Sequence, residues 1–397
     1  MNRPCPSIAL AALLTTLVAL GPLSTDLYLP ALPTLARAFA SGAAEVQLTL
    51  SVFLAGFACG QIIYGPLSDR FGRRPVLLAG LVLYCLGSLG CVLSTSIERL
   101  VFARFVQALG ACAGPVIGRA VVRDVWGASE SARIIAYIGA AMALAPLFGP
   151  TIGGLLTVWL GWQSNFVVLL LIGLVQLVAV GRMLAESNVH RDPEATRPDR
   201  MIAGFARLLG DRGYLACLLC LAFSYSALFA FISGSSFVLA DRHGLSPQAF
   251  GACFGLVVAG YLLGSVTSGR LVRRVGSTCL LRYGAWLGAL AGAGMAGLEF
   301  AGVRQIWALL APMFLCTAAT GLVMPNAISR ALAPYPAMAG SASALMGVVQ
   351  MGVAALVGVA VGQGLSADGS ALAAAVAACT LLAALSYEIL GGRPAAR

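Results

Sequence analysis

Twelve long apolar stretches, separated by short clusters of Arg, Pro or Gly, constrain this chain more than any other feature of its sequence. A helix that crosses a lipid bilayer needs about 20 apolar residues. The chain is 59% hydrophobic and only 10% charged, whereas soluble domains average about 25% charged residues. The sequence therefore predicts an all-α membrane protein and excludes water-soluble enzymes and secreted disulfide scaffolds. The predicted spans are 7–30, 45–67, 76–96, 100–122, 132–158, 163–183, 213–238, 248–269, 278–299, 304–329, 338–362 and 369–390.

The basic residues predict how the chain is oriented in the membrane. All 25 are arginines, and the net charge is +10. If the N-terminus is cytoplasmic, twenty arginines fall on the inner side, four on the outer side and one, Arg104, within a span, as the positive-inside rule requires. We therefore expect both termini in the cytoplasm. We expect no nucleic-acid partner, because these arginines stand between apolar runs rather than along a solvated stripe. The apolar run after Arg3 exceeds the core of about 7–15 residues in a secretory signal, so we expect a retained first span.

The longest polar stretch divides the chain into two halves with six predicted spans each. It predicts an N-terminal six-helix bundle over 1–183, a cytoplasmic linker over 184–211 and a C-terminal six-helix bundle over 212–397. A faint internal repeat supports this division, since DRFGRR at 69–74 is echoed by GRLVRR at 269–274. Two related halves are a common plan of transporters.

The cysteines and histidines do not form the pattern of a metal site. Eleven cysteines are scattered singly along the chain, except that Cys217 and Cys220 form a C-x-x-C within an apolar run. The two histidines, His190 and His243, fall in predicted loops. We therefore expect buried apolar thiols, no metal and no cofactor.

Asp26 is the strongest candidate for a functional residue in the first span. It is the only charged residue within 4–36, and a carboxylate near the middle of a bilayer costs about 2.5–3.5 kcal/mol on insertion scales. Such a residue normally faces a cavity, and burial favours the protonated form of a carboxylate. Alternatively, Asp26 is solvated at the outer mouth of the span, because Pro30 and Pro33 soon end the helix.

Arg104 is the second charge predicted inside a span. It follows Arg99 by five residues, which places it roughly 7–8 Å deeper than the outer end of its helix. At that depth its guanidinium would favour the ionised form of Asp26. Gln107 lies on the same helix face. Alternatively, Arg104 extends towards the outer headgroups.

A tight turn follows the second span and carries an unusual set of glycines and charges. Its sequence, G-P-L-S-D-R-F-G-R-R-P, occupies 65–75. Asp69 can pair with Arg73 four residues later, and glycines allow close turns. A basic loop that only fixes membrane topology would explain the arginines but not the glycines and the aspartate. The candidate residues of this turn are Gly65, Asp69, Arg70, Gly72, Arg73 and Arg74.

The fifth predicted span contains two prolines and three glycines that would bend it and admit a neighbouring helix. Without further information this pattern predicts no more than a kinked span. The residues are Pro146, Gly149, Pro150, Gly153 and Gly154.

The 65–75 turn closely resembles the signature loop of the major facilitator superfamily. Together with segments 24–30, 104–110 and 339–344, it makes the chain similar to the Bcr/CflA family of twelve-span drug:proton antiporters. The resemblance implies the major-facilitator fold, with two pseudo-symmetric six-helix halves. It also implies that the turn is part of a reversible cytoplasmic latch, which Asp124 joins from the end of the fourth span.

The resemblance also implies roles inside the membrane. The G-P-x-x-G-G of the fifth span resembles the antiporter motif of drug exporters, although this chain has Ala145 where the family has a further glycine. Asp26 resembles the embedded acidic residue of the family and Arg104 its fourth-span arginine, so we expect both to take part in proton coupling.

We therefore expect a monomeric exporter in the bacterial inner membrane that exchanges protons for drugs or other small amphipathic compounds by alternating access. It would need no cofactor besides the coupling proton, and it would not be an enzyme. One alternative is a proton-coupled transporter of a single endogenous metabolite. Another is a membrane sensor or intramembrane enzyme, which the lack of intramembrane histidine disfavours. From polarity and span membership, the residues expected in the substrate cavity are Tyr28, Gln47, Gln107, Tyr225, Phe229 and Gln350.

Overall fold

The structure is a computed structural model that describes residues 7–142, 144–188, 191–335, 338–364 and 369–391. Within these ranges, the side chains of 127–133, 135–142, 144–147, Pro198, Arg200, Pro247 and Ala339 are not described. The described chain consists of helices and their connecting turns and has no strand. The prediction of an all-α protein is therefore confirmed.

The first part of the chain forms seven α-helices and one 3-10 turn. The turn, Leu29–Ala31, separates the first two helices, which together make one span. The helices are α1 (Ile8–Asp26), α2 (Leu32–Ala38), α3 (Ala43–Phe71), α4 (Arg73–Val92), α5 (Ile97–Met142), α6 (Leu144–Leu160) and α7 (Gln163–Met183).

The second part forms seven more α-helices. A short π-helical segment, Val238–Arg242, extends the second of them. The helices are α8 (Pro198–Leu209), α9 (Arg212–Phe237), α10 (Pro247–Val275), α11 (Ser277–Phe300), α12 (Ile306–Leu332), α13 (Ala339–Gly364) and α14 (Ser370–Gly391).

Ten helical stretches of the described chain are long and apolar enough to cross a membrane. Helix α11 occupies one of the two remaining predicted spans. Helix α6 occupies only 144–158 of the other, the predicted span 132–158, whose first residues belong to α5. One predicted loop is wrong, because α5 continues through residues 123–131 to Met142. This segment contains one glycine and no proline. Its charged residues lower the hydropathy without interrupting the helical hydrogen bonds.

The chain divides into two compact units. Unit 1 consists of Met1–Ser41 and Val52–Pro198, and unit 2 consists of Gly42–Ser51 and Asp199–Arg397. The predicted linker is not a featureless connection, since α8 forms within it. The domain bounds drawn from the sequence stay a prediction.

Helix α5 packs closely against two neighbours in unit 1 because glycines line its surface. A Cβ at Gly110 would lie 2.2 Å from the backbone nitrogen of Tyr84 in α4. A Cβ at Gly114 would lie 2.2 Å from the carbonyl oxygen of Leu17 in α1. This small-residue spacing lets helix backbones approach where no hydrophobic effect drives them together.

Unit 2 is built by the same kind of packing. A Cβ at Gly264 of α10 would lie 1.9 Å from the carbonyl oxygen of Ala318 in α12. Polar side chains join the same two helices, because Thr317 donates to the carbonyl of Val257 at 2.6 Å and Asn326 donates to the Ser268 hydroxyl at 2.7 Å. Interhelical hydrogen bonds of this kind stabilise helix pairs in membranes.

The start of α9 is fixed by Asp211. Its carboxylate accepts the backbone N–H of Tyr214 at 3.0 Å, as an N-cap residue does. The same carboxylate accepts a short hydrogen bond from the Tyr335 hydroxyl. These two bonds, the one from Tyr335 being stronger, hold the pKa of Asp211 below its ordinary value.

The close contact of α5 with α1 yields a stability prediction. The Gly114→Ala substitution should lower the free energy of unfolding by about 1–3 kcal/mol, because the new methyl group overpacks against the α1 backbone. Gly297→Ala is the matched control, since nothing lies within 4 Å of a Cβ there. Alanine should leave stability unchanged or raise it at that position. Thermal unfolding in detergent measures both variants, and equal melting temperatures for the two would contradict the packing.

Candidate functional site

Helix α1 is interrupted directly after Asp26. The helix ends at this residue, and the 3-10 turn Leu29–Ala31 follows before α2 begins. Pro30 and Pro33 lack backbone donors and so disfavour a straight continuation of the helix. The break lies within one membrane-spanning stretch, Ile8–Ala38. Interrupted spans expose backbone polar groups inside a membrane protein and often mark its binding site.

Arg104 binds the end of α1. Its side chain is fully buried, and its Nη1 donates to the carbonyl oxygen of Ser24 at 3.0 Å and to Oε1 of Gln107 at 2.6 Å. The last carbonyls of a helix lack partners within the helix and carry partial negative charge. A guanidinium at this position therefore stabilises the interrupted end of α1.

Aromatic rings surround the remainder of the Arg104 guanidinium. Its Cζ lies 4.2 Å from the centroid of the Phe53 ring, 4.4 Å from that of Tyr28 and 5.8 Å from that of Phe166. Its Nε and Nη2 have no hydrogen-bond partner among the described residues. A cation is attracted to the negative face of an aromatic ring, and the attraction is strongest where water is excluded. Arg104 is thus held inside the protein and does not extend to the headgroups.

Asp26 and Arg104 do not form an ion pair within 4.0 Å in the described chain. The Asp26 side chain is 3% exposed and accepts a hydrogen bond from the Thr25 hydroxyl at 3.1 Å. The carboxylate is therefore buried at the break without a cationic partner in the described chain, and burying an uncompensated charge is costly.

Helix α6 packs directly on the break. A Cβ at Gly149 would lie 3.1 Å from the Cβ of Asp26, and a Cβ at Gly153 would lie 1.6 Å from the carbonyl oxygen of Leu27. Gly154 and Pro150 are buried in the same helix. The glycines predicted as an antiporter motif thus bring α6 against the backbone of residues 26 and 27 and the Cβ of Asp26. Pro146 lies in the helix as well, but its side chain is outside the described part.

Helix α4 contributes two side chains, Ser88 and Tyr84, that bind the partners of Arg104. Gln107, which binds Arg104, donates through Nε2 to the hydroxyl of Ser88 at 2.9 Å. The hydroxyls of Ser24 and Tyr84 share a hydrogen bond of 2.9 Å. All four side chains are buried, so their polar groups are satisfied by one another.

A second cluster of charges forms at the turn between α3 and α4. Nη1 of Arg73 lies 2.6 Å from Oδ1 of Asp69 and donates to the Ser68 hydroxyl at 2.7 Å. Its Nε also donates to Asp124 of α5 at 3.1 Å. The structure thus brings Asp69, Arg73 and Asp124 together around one guanidinium. We call these residues, with the turn that carries them, the turn cluster.

The other predicted residues of the turn have different surroundings. Arg70 donates to Thr196 at 2.7 Å, and Arg74 donates to the carbonyl of Gly181, at the end of α7, at 2.6 Å. Gly72 has a φ of +104°, which only glycine adopts easily. Gly65 has open space where a Cβ would be, so nothing in its packing requires glycine.

Sequence reasoning missed three residues of the linker that bind the turn cluster. They are Glu186, Ser187 and Asn188, which contact the backbone of the turn and the carboxylate of Asp124. Glu186 follows Arg73 by 113 residues, and no local pattern in the sequence relates the two positions.

The residues predicted to line a substrate cavity fall into two groups. Tyr28 and Gln107 belong to the surroundings of Arg104 in unit 1 and are fully buried. The others belong to unit 2. Gln47 donates a short hydrogen bond to the carbonyl of Ser233, and its Oε1 has no partner among the described residues. Phe229 packs on Gly358. Gln350 is buried and Tyr225 is half-buried.

No cluster of three or more possible metal ligands occurs among the described residues.

The geometry around Arg104 yields a second stability prediction. Arg104→Lys should lower the free energy of unfolding by about 1.5–3 kcal/mol, the value of one hydrogen bond to a charged group. An ammonium cannot bind Ser24 and Gln107 and also stack between Phe53 and Tyr28. Arg99→Lys, an exposed site on the same helix, is the control and should change stability by less than about 0.5 kcal/mol. Similar losses in both variants, measured by denaturation in detergent, would argue against the described role of Arg104.

The chain is similar to several bacterial membrane transporters. It is 34% identical over 357 residues to the uncharacterized MFS-type transporter YdgK of Bacillus subtilis, covering 89% of each chain. It is 33% identical to the chloramphenicol resistance protein of Pseudomonas aeruginosa, covering 85% of this chain and 80% of that protein. It is 30% identical to multidrug resistance protein D of Escherichia coli, covering 87% and 86%.

The fold is also that of a solved transporter. The D-xylose-proton symporter superposes with a TM-score of 0.77 at 18% identity, covering 95% of this chain and 96% of that one. The family model of the Major Facilitator Superfamily matches residues 14–359. The superfamily and the fold expected from the sequence are thereby confirmed. The chain is a multi-pass membrane protein that belongs to the Major Facilitator Superfamily.

Proposed function

We propose that this protein is a proton-coupled exporter of drugs or other small amphipathic compounds, of the Bcr/CflA type. The observation that carries the proposal is the buried Asp26 carboxylate at the break in α1, which has no ion-pair partner in the described chain. Relatives named for resistance to chloramphenicol, bicyclomycin and multiple drugs support drug export as the direction and substrate class.

The geometry of the break favours coupling through Asp26. An ionised carboxylate inside a protein is unfavourable unless a proton or a cation compensates it. Arg104 contacts Ser24, Gln107 and three aromatic rings and forms no ion pair with Asp26 in the described chain, so it does not neutralise the carboxylate permanently. A proton and a positively charged or polar substrate group can therefore compete for the carboxylate, and this competition is what antiport requires.

Arg104 would act in this mechanism as a fixed charge and not as a proton carrier. Guanidinium groups remain protonated at any physiological pH. Arg104 holds the last turn of α1 through the Ser24 carbonyl, so it would keep the Asp26 backbone in place while the charge of the carboxylate changes. The glycines of α6 would let that helix move against the same turn without a steric barrier.

The remaining parts of the proposal concern location and access. The protein would lie as a monomer in the bacterial inner membrane with both termini in the cytoplasm, and it would work by alternating access. The turn cluster would act as the reversible cytoplasmic latch. Tyr28, Gln47, Gln107, Tyr225, Phe229 and Gln350 would contribute to substrate contacts.

Transport by inverted vesicles tests the role of Asp26. Wild-type protein should accumulate chloramphenicol or ethidium when the vesicle interior is acidic, and dissipation of the gradient should abolish this accumulation. Asp26→Asn should lose at least about tenfold of the gradient-driven rate, because an amide cannot take up and release the proton. Asp241→Asn, which alters an exposed carboxylate, is the control and should transport at the wild-type rate.

The other outcomes also discriminate. Gradient-driven transport by Asp26→Asn at the wild-type rate would show that the proton is carried elsewhere. If neither drug is transported but one metabolite from a panel is, the protein is a metabolite transporter and the proposed substrate class is wrong.

A further inference from the structure

Three consecutive residues of the linker each bind a different helix of unit 1. Glu186 binds the start of α4, Ser187 binds Asp124 of α5, and Asn188 binds the end of α3. We call residues 186–188 the linker strap. They lie just beyond α7, which ends at Met183, so the strap draws four helices together at one end of the unit.

Glu186 supplies what the first turn of α4 lacks. Its Oε1 accepts the backbone N–H of Arg73 at 2.8 Å, and its Oε2 accepts that of Arg74 at 3.2 Å. The first N–H groups of a helix have no partner within the helix, and the helix dipole favours negative charge there. A carboxylate that accepts two of these N–H groups holds the beginning of the helix in place.

Gly72 makes room for the Glu186 carboxylate. A Cβ at position 72 would lie 2.5 Å from Oε2 of Glu186, and the backbone there has a φ of +104°. Both observations exclude an ordinary side chain at this position. The glycine thus serves the approach of the strap as well as the sharp turn from α3 to α4.

The other two strap residues complete the arrangement. Ser187 donates to Oδ2 of Asp124 at 3.1 Å, the same oxygen that accepts the bond from Nε of Arg73. Asn188 donates to the carbonyl oxygens of Ser68 at 3.3 Å and Asp69 at 3.0 Å, near the end of α3. The Ser68 carbonyl also accepts the backbone N–H of Gly72 at 3.1 Å, whereas the Asp69 carbonyl, in the last turn of α3, accepts among the described residues only from outside the helix, from Asn188 and from the backbone N–H of Asp192 at 3.2 Å.

The strap therefore contacts the turn cluster in two ways, through the backbone of the turn and through the carboxylate of Asp124. Glu186 binds the main-chain nitrogen of Arg73, and the guanidinium of the same residue remains free to bind Asp69 and Asp124. Fixing the backbone of Arg73 fixes the point from which its side chain extends to both carboxylates.

We propose that Glu186, with Ser187 and Asn188, is a positioning element that keeps Arg73 within reach of Asp69 and Asp124 and thereby sets how readily the turn cluster opens. The inference rests on the proposed function only in linking this opening to transport. The effect of the strap on the turn does not depend on which compound is carried.

Hydrogen–deuterium exchange of the full-length protein in lipid nanodiscs tests the strap directly. Glu186→Ala should speed exchange of the amides of Arg73 and Arg74 by at least about tenfold, since it removes both acceptors. Glu186→Gln keeps one acceptor oxygen without charge, so its effect should be smaller. The control is Glu194→Ala, an exposed glutamate of the same linker, which should leave these amides unchanged. Unchanged exchange in Glu186→Ala would overturn the proposal.

Transport by the same variants provides a second measurement. Glu186→Ala should change the maximum transport rate by more than about threefold with an apparent KM within about twofold, because a turn that opens differently alters the rate of interconversion and not the substrate contacts. Glu186→Gln, which should fold normally, should give an intermediate rate. A wild-type rate in Glu186→Ala, together with faster amide exchange, would overturn the link to transport.

Failure of the proposed function is distinguishable from failure of this inference. If wild-type protein transports no drug but the amides of Arg73 and Arg74 exchange faster in Glu186→Ala, the proposed role of the strap is supported and the proposed substrate class is wrong. If wild-type protein transports drugs and amide exchange is unaffected by Glu186→Ala, the proposed role of the strap is wrong and the proposed drug export is supported.

Discussion

The bond between the Arg104 guanidinium and the Ser24 carbonyl is the interaction on which the interior of unit 1 depends. A membrane helix cannot simply stop inside apolar surroundings, because its last carbonyls would remain unsatisfied. Arg104 makes the interruption of α1 tolerable, and Gln107, Ser88 and Tyr84 hold the surrounding polar groups in turn. The break then leaves the buried Asp26 carboxylate at the last residue of α1.

The same bond explains why charges of opposite sign can lie in one bundle without forming a pair. A guanidinium has five donors and a planar face, so it can bind a carbonyl and an amide and stack on rings at once. The three rings come from Tyr28, Phe53 and Phe166. Arg104 is therefore stabilised without neutralising Asp26, and the two groups can have separate roles in a transport cycle.

The sequence predicted those parts of the molecule that depend on local pattern. Apolar runs revealed the spanning helices, and the four-residue spacing of Asp69 and Arg73 revealed their contact. The uninterrupted course of α5 was missed because its charged segment resembles a loop in composition but contains no helix breaker besides one glycine. The aromatic surroundings of Arg104 were also missed, since rings from three distant positions leave no spacing to recognise. Glu186 could not be found from the sequence either. Its partners are backbone N–H groups, and no pattern of side chains in the sequence identifies them.

The strap contacts have a consequence for mutational tolerance. Glu186 binds the main-chain N–H groups of residues 73 and 74, which every amino acid except proline supplies. Asn188 binds the main-chain carbonyls of residues 68 and 69, which every amino acid supplies. Replacing Arg74 would remove its own bond to Gly181 but would leave its backbone bond to Glu186 available. Position 72 has no such freedom, because any larger residue meets both an unfavourable backbone angle and the Glu186 carboxylate. The backbone bonds of the strap therefore tolerate the loss of the Arg74 side chain, whereas a side chain at position 72 would strain the backbone and displace the Glu186 carboxylate together.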